Sequence, residues 1–354
     1  MAKNYSNRLL ELRSRKNDIN ILQESYGYKG YTIDSYKQFI KMASESNDIQ
    51  NYFIEAMAPV DDIYTKNTYK EADRVKNQLD KIKTSSLNFE YEYQGSVSNN
   101  THIKAHSDID VLVIIDRYIA LEHPLVPSNP YQGNPIDDLM ELRLTSEKYL
   151  TSAFPQADVD CSGAKAIGLS GGSLRRKVDV VPSNWFNTVD YDRTKLKHYR
   201  GIQVLDKYKK ERILNTPFYH NFLLDIKDRN TSGNFKRIVR LLKTLKADSD
   251  QDISLSSYDI VAIAYNMETS KYYTGDKYIL LLKNVYSYLN DLALMPSTAR
   301  NNIDVPDKSR KIFNEASKYT GLTRLKDEVE ELLKSLITSY GLSDYLVEYK
   351  AIAV

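Results

Sequence analysis

Three aspartates and a glycine–serine pair carry most of the chemical information in this chain. Asp108 and Asp110 stand two apart in SDIDVLVIID. On a strand that spacing points both carboxylates to one face and turns Ile109 and Val111 to the other. A D-x-D pair alone says little, but here it opens an apolar strand rather than sitting in a solvated turn. Gly95-Ser96 comes twelve residues earlier, directly after FEYEYQ. Glycine lets backbone approach phosphate closely, free N–H groups at a turn bind anions, and the serine hydroxyl adds a donor. Asp179, in LRRKVDVVP, lies on a second strand that can pair beside the first and bring in a third carboxylate. Three converging carboxylates repel one another unless cations bind between them, so the set points to metal-dependent phosphoryl transfer.

Positioning such a set requires strands, and the chain supplies them in its middle third. Residues 1–85 read as mainly helical, with Asp34 as an N-cap for SYKQFIKMASES and 3.6-residue apolar spacing in DIYTKNTYKEADRVKNQLDKIK. Strands are expected at FEYEYQGS, SDIDVLVIID, DVDCSG, AKAIGLS and LRRKVDVVP, the last two joined through Gly171-Gly172. A helix should cover 135–153. After Trp185 the chain returns to helices, with a hairpin at 201–215 and helices near 217–229, 231–247, 255–268, 276–293 and 307–340. The proline-containing stretches 123–135 and 295–306 should be exposed loops. This predicts N-terminal helices (1–85), a mixed α/β core (86–200) and a helical C-terminal lobe (201–354). The active site of such a bilobal protein is expected in the cleft.

Composition sets limits on function. A charged fraction of 27% and an apolar fraction of 42% are ordinary for a globular protein. No apolar run is long enough to span a bilayer, and the N-terminus has no secretory h-region. The single cysteine, Cys161, excludes an internal disulfide and a cysteine-based zinc site. Together these predict a cytoplasmic protein. A net charge of +2 argues against a nucleic-acid coat. The runs RSRK (13–16) and KYKKER (207–212) read as solvated faces, and the 28 tyrosines as core packing.

QGSVSNNTHIKAHSDIDVLVII followed by KVDVVP resembles the nucleotidyltransferases of the polymerase-beta superfamily. Thr101, Ile103, the serine before D-x-D and the downstream NFKRIVRLLKTLK resemble one branch of it, the bacterial cGAS/DncV-like nucleotidyltransferases (CD-NTases). These make cyclic oligonucleotide signals in anti-phage (CBASS) defence, and the resemblance covers roughly residues 60–290. It implies that Gly95 and Ser96 hold a donor triphosphate, that Asp108 and Asp110 bridge two Mg²⁺ (or Mn²⁺) ions, and that Asp179 binds the ion activating the attacking hydroxyl. It further implies that Lys243 reaches the β- or γ-phosphate, that Ser257 contacts phosphate, and that the Tyr258 ring stacks on a base. Substrates would be NTPs such as ATP and GTP, and the cyclic di- or trinucleotide would act on a separate effector, with a regulatory partner protein possible. The chain has no Cys/His zinc ribbon, so DNA sensing through such an insert is not expected.

Each of these residues also has a plainer reading. Lys243 could be one more surface lysine on an amphipathic helix, Ser257 a helix cap and Tyr258 a core tyrosine. His102 and His106 read as exposed loop residues; Cys161 and Trp185 read as core. Two other functions stay open. One is a related transferase acting on an RNA, protein or small-molecule acceptor; the other is a silent nucleotide-binding scaffold.

Overall fold

A computed structural model describes residues 3–16, 48–103, 108–275 and 277–341. Asp34, His106 and Ser107, the serine before the D-x-D pair, lie outside these residues. The chain divides into two compact units. One holds Asp61–His102 and continues to Asp225; the other holds the chain up to Val60 and from Ile226 onward.

The first unit is built on a seven-stranded mixed sheet. Its strands are β1 (Phe89–Gln94), β2 (Ile109–Leu121), β3 (Asp158–Asp160), β4 (Ile167–Ser170), β5 (Val178–Asn187), β6 (Arg200–Asp206) and β7 (Glu211–Asn215). β2 and β5 run parallel down the centre, and every other pairing is antiparallel. The two central strands alternate. Ile109, Val111, Val113, Val178 and Val180 face a core completed by Ala72, Val75, Leu79, Leu139, Leu142 and Leu150. The first three of those come from α3 (Asp62–Leu79), whose N-terminus is capped by the Asp61 carboxylate. The others come from α4 (Pro135–Ala153), which fills the expected range. Truncating one such leucine to alanine would cost about 2–5 kcal/mol, so this face anchors the strands firmly. The opposite face carries Leu112, Ile114, Val181 and Trp185, and at its end the aspartates.

The hairpin at 201–215 forms, but it does not open a helical lobe. β6 pairs with the second half of β5 and extends the sheet. α5 (Val189–Thr194) and the start of α6 (Pro217–Asn230) complete this unit.

The second unit is helical: α1 (Tyr5–Lys16), α2 (Asp48–Met57), α7 (Asn234–Ala247), α8 (Ser257–Asn266), α9 (Tyr278–Leu294), α10 (Ser297–Arg300) and α11 (Ala316–Ser339). α7 is its centre, packing against α2, α8 and α11. The last helix begins at 316 rather than 307, because the preceding segment folds back through an Asp304–Lys311 bridge. The 123–135 loop is exposed, whereas the 295–306 stretch buries Arg300 and Val305. RSRK is not simply solvated: Arg13 pairs with Glu55, and Arg15 reaches the buried Asp248. Among the described residues no helix is long and apolar enough to cross a membrane.

Candidate active site

Strand direction assembles the site. The parallel pairing of β2 and β5 brings the beginnings of both strands to one end of the sheet, where Asp110 and Asp179 are register partners. Antiparallel β1 delivers its last residue, Gln94, opposite Asp110, so Gly95-Ser96 emerges at the same end. Asp108 lies one residue before β2 and is exposed, while Asp110 and Asp179 are partly buried. The Gly-Ser pair and the three aspartates are thus brought together.

Gly95 is a case where only glycine serves. Its φ is +86°, and a Cβ there would lie 2.4 Å from Asp110 Oδ2. The loop it starts is closed by the Thr101 amide donating to the Ser96 carbonyl (3.0 Å).

The electrostatics are those of an under-compensated acidic cluster. Burial, then the charges of Asp179 and Asp108, push the Asp110 carboxyl up from 3.8 to about 7. Burial also raises Asp179, against the opposing pull of Lys177. The Lys177 ammonium donates to Asp108 Oδ2 (3.1 Å) and Asp179 Oδ2 (3.0 Å), and its own affinity for the proton rises. No group of three His, Cys, Asp or Glu side chains among the described residues forms a ready-made metal cage. The donor chemistry nevertheless suits a hard divalent cation: Asp108 and Asp179 share the Lys177 ammonium, and Asp110, the register partner of Asp179, is a carboxyl that burial and the neighbouring carboxylates make costly to ionise without a cation.

Sequence reasoning missed Lys177, because a lysine in LRRK looks like any solvated charge. It also misjudged His102. That residue is buried, not exposed, with Nε2 3.1 Å from the Thr65 hydroxyl of α3. Cys161 is partly buried against the main core, and Trp185 is buried on the face that bears the aspartates, with the Arg200 guanidinium 3.8 Å from its ring centroid.

The remaining candidates belong to the helical unit. Lys243 is no surface lysine: α7 is buried around most of its circumference, and Lys243 is 6% exposed. Burial and the neighbouring Arg240 charge lower its pKa to about 8. Arg240, one turn earlier on the same helix, is buried too, and its Nε donates to the Met57 carbonyl (2.8 Å). Ser257 does not cap α8; Ser256 does, in a capping box with Asp259, and Ser257 is the exposed first residue of the helix. The Tyr258 hydroxyl donates to Asp307 Oδ1 (2.9 Å), and Arg310 lies 5.1 Å from the ring centroid.

Known proteins share both the sequence pattern and the fold. Residues 224–336 match the family described as the cGAS/DncV-like nucleotidyltransferase C-terminal helical domain. A cyclic dinucleotide synthase CdnE from Yersinia aleksiciae is 37% identical over 295 residues, covering 81% of this chain and 76% of that protein. The solved structure of a STING-associated CdnE c-di-GMP synthase from Capnocytophaga granulosa superposes with a TM-score of 0.76 at 32% identity, over 95% of this chain and 99% of that one. A second STING-associated CdnE c-di-GMP synthase, from Flavobacteriaceae sp., gives the same TM-score at 27% identity.

Proposed function

Since this chain belongs to the cGAS/DncV-like nucleotidyltransferases, enzymes that join nucleoside triphosphates into cyclic oligonucleotides, we propose that its substrate is GTP and its product cyclic di-GMP. The support is that the two c-di-GMP synthases above match it along nearly their whole length. The observation that carries the placement of the chemistry is the Asp110–Asp179 register, with Gly95 packed on Asp110.

In this reading the Gly95-Ser96 loop holds the donor triphosphate, and Lys243 reaches its β- or γ-phosphate. Asp108, Asp110 and Asp179 would hold two Mg²⁺ or Mn²⁺ ions, whose chemistry there would be to acidify the attacking hydroxyl and to offset charge on the transferred phosphoryl group. Asp110 would have to be ionised to hold such an ion, which its raised pKa makes costly in the ion's absence. Asp179 would bind the ion that activates the acceptor hydroxyl, whose proton passes to solvent. That oxygen attacks the donor α-phosphate, one P–O bond forms, and the bond to pyrophosphate breaks. The linear intermediate re-enters, its free hydroxyl attacks its own α-phosphate, and a second pyrophosphate leaves. Tyr258 is the platform for a base, and the product acts on a separate effector; the Capnocytophaga granulosa relative is described as STING-associated.

The test is to supply each NTP singly and in pairs with Mg²⁺ or Mn²⁺ and to resolve the products by mass. GTP alone should suffice for a phosphatase-resistant dinucleotide. A requirement for ATP or a pyrimidine nucleotide overturns the GTP assignment, and a ladder of phosphatase-sensitive linear chains overturns cyclisation.

A further inference from the structure

Behind the Gly95-Ser96 loop runs a chain of four hydrogen bonds, head to tail. The Thr101 hydroxyl donates to Asn99 Oδ1 (2.7 Å), and Asn99 Nδ2 donates to Asn221 Oδ1 (3.1 Å). Asn221 Nδ2 donates to Ser98 Oγ (3.1 Å), and the Ser98 hydroxyl donates to the Gly95 carbonyl (2.8 Å). Thr101 and Asn99 are buried, and Asn221 is partly buried, on α6.

The direction of this chain is fixed by its last member. A carbonyl only accepts, so the Ser98 hydroxyl must point at Gly95 and accept from Asn221. Asn221 must then turn its amide nitrogen to Ser98 and its oxygen to Asn99. Asn99 in turn must donate to Asn221 and accept from Thr101. No other orientation of the two amides satisfies all four bonds. Each bond polarises the next in the same sense, so the chain strengthens along its length and ends on the peptide that links Gly95 to Ser96. The same loop is tied at its far side by the Thr101 amide on the Ser96 carbonyl. A turn with a glycine at φ +86° has little stiffness of its own. This chain supplies it.

We infer that Asn221 is a positioning residue for nucleotide binding: through Ser98 and Asn99 it fixes the orientation of the Gly95–Ser96 peptide, and so the N–H groups that the loop presents to phosphate. The inference rests on the proposal that this loop holds the donor triphosphate, and the experiment separates the two.

Asn221→Asp keeps size and shape but replaces the donor with an acceptor, so the bond to Ser98 Oγ inverts and Ser98 is drawn off Gly95. Binding of a non-hydrolysable GTP analogue, measured by calorimetry, should weaken about tenfold, the equivalent of one hydrogen bond. The KM for GTP should rise in step, with a much smaller change in kcat. Ser98→Ala should reproduce the loss, and the double variant should bind no worse than either single one, because both break the same chain. Thr101→Val, which removes the distal donor, should weaken binding by a smaller factor and keeps the test alive should Asn221→Asp not fold. Gly95→Ala is the control for the underlying reading. If Gly95→Ala abolishes binding while Asn221→Asp and Thr101→Val bind like the parent, the positioning role is overturned. Losses that multiply in the double variant overturn it too. If Gly95→Ala binds normally, the loop does not hold the triphosphate at all.

Discussion

Replacing Asp110 with asparagine should make the metal-free protein more stable while removing its activity, and the stabilisation should depend on pH. Asp110 is held near pKa 7 in the fold against 3.8 ordinarily. A folded pKa above the unfolded one means that the contribution to stability is fully present below about pH 4 and is lost as pH rises through 7. Near pH 8 the ionised carboxylate therefore costs the metal-free fold up to about 4 kcal/mol relative to a neutral side chain, and near pH 5 under about 2 kcal/mol. The asparagine amide, lacking a ready partner, returns about 1–2 kcal/mol of that gain. The net expectation is a stabilisation of about 2–3 kcal/mol near pH 8 that vanishes near pH 5. For a unit of this size that corresponds to roughly 5–10 °C in Tm. Thermal unfolding in a chelator at the two pH values measures it, with nucleotide incorporation in Mg²⁺ as the companion assay, where turnover should fall by about a thousandfold or more. An equal Tm difference at both pH values, or a destabilised variant at pH 8, would refute the electrostatic reasoning. Parental turnover would remove Asp110 from the site.

Lys243→Ala should weaken GTP-analogue binding by about 2–3 kcal/mol with little loss of Tm, since a buried cation beside Arg240 is itself costly. In the parent, affinity should fall as pH rises through 8, where Lys243 loses its proton, and titrations of the alanine variant should be flat there. Lys177→Met should lower the Tm in chelator and tighten Mn²⁺ binding, because the ammonium between Asp108 and Asp179 is gone; weaker Mn²⁺ binding would show that the lysine helps the ions instead. Tyr258→Phe loses the hydroxyl that donates to Asp307 but keeps the ring and should keep product yield, whereas Tyr258→Ala should cost about 1–3 kcal/mol in apparent base binding.

Local patterns were readable in the sequence, and contacts made across long separations were not. α4 fills its expected range because asparagine cap, proline and apolar spacing agree over its length. The alternation in β2 and β5 placed Asp110 and Asp179 on one face. The hairpin at 201–215 was legible from its turn, but its partner β5 was not, because strand pairing leaves no mark on either strand alone. The resemblance singled out Lys243, but its burial was not legible, because its helix has lysines and arginines spaced as on a surface stripe, while the helix packs against neighbours on several sides. His102 is buried by α3, Thr65 lying 37 residues away along the chain. The Asn99–Asn221 bond spans 122 residues, and two asparagines in polar segments give no hint of it.

The most direct test of the account is the ratio of pyrophosphate released to guanine nucleotide incorporated, measured on the end product of GTP alone. A closed ring releases one pyrophosphate for every nucleotide joined, whatever its size, and its mass then gives two. A linear dinucleotide keeps one triphosphate and releases half a pyrophosphate per nucleotide. The account predicts a ratio of one with the mass of cyclic di-GMP; a ratio of one half would contradict it.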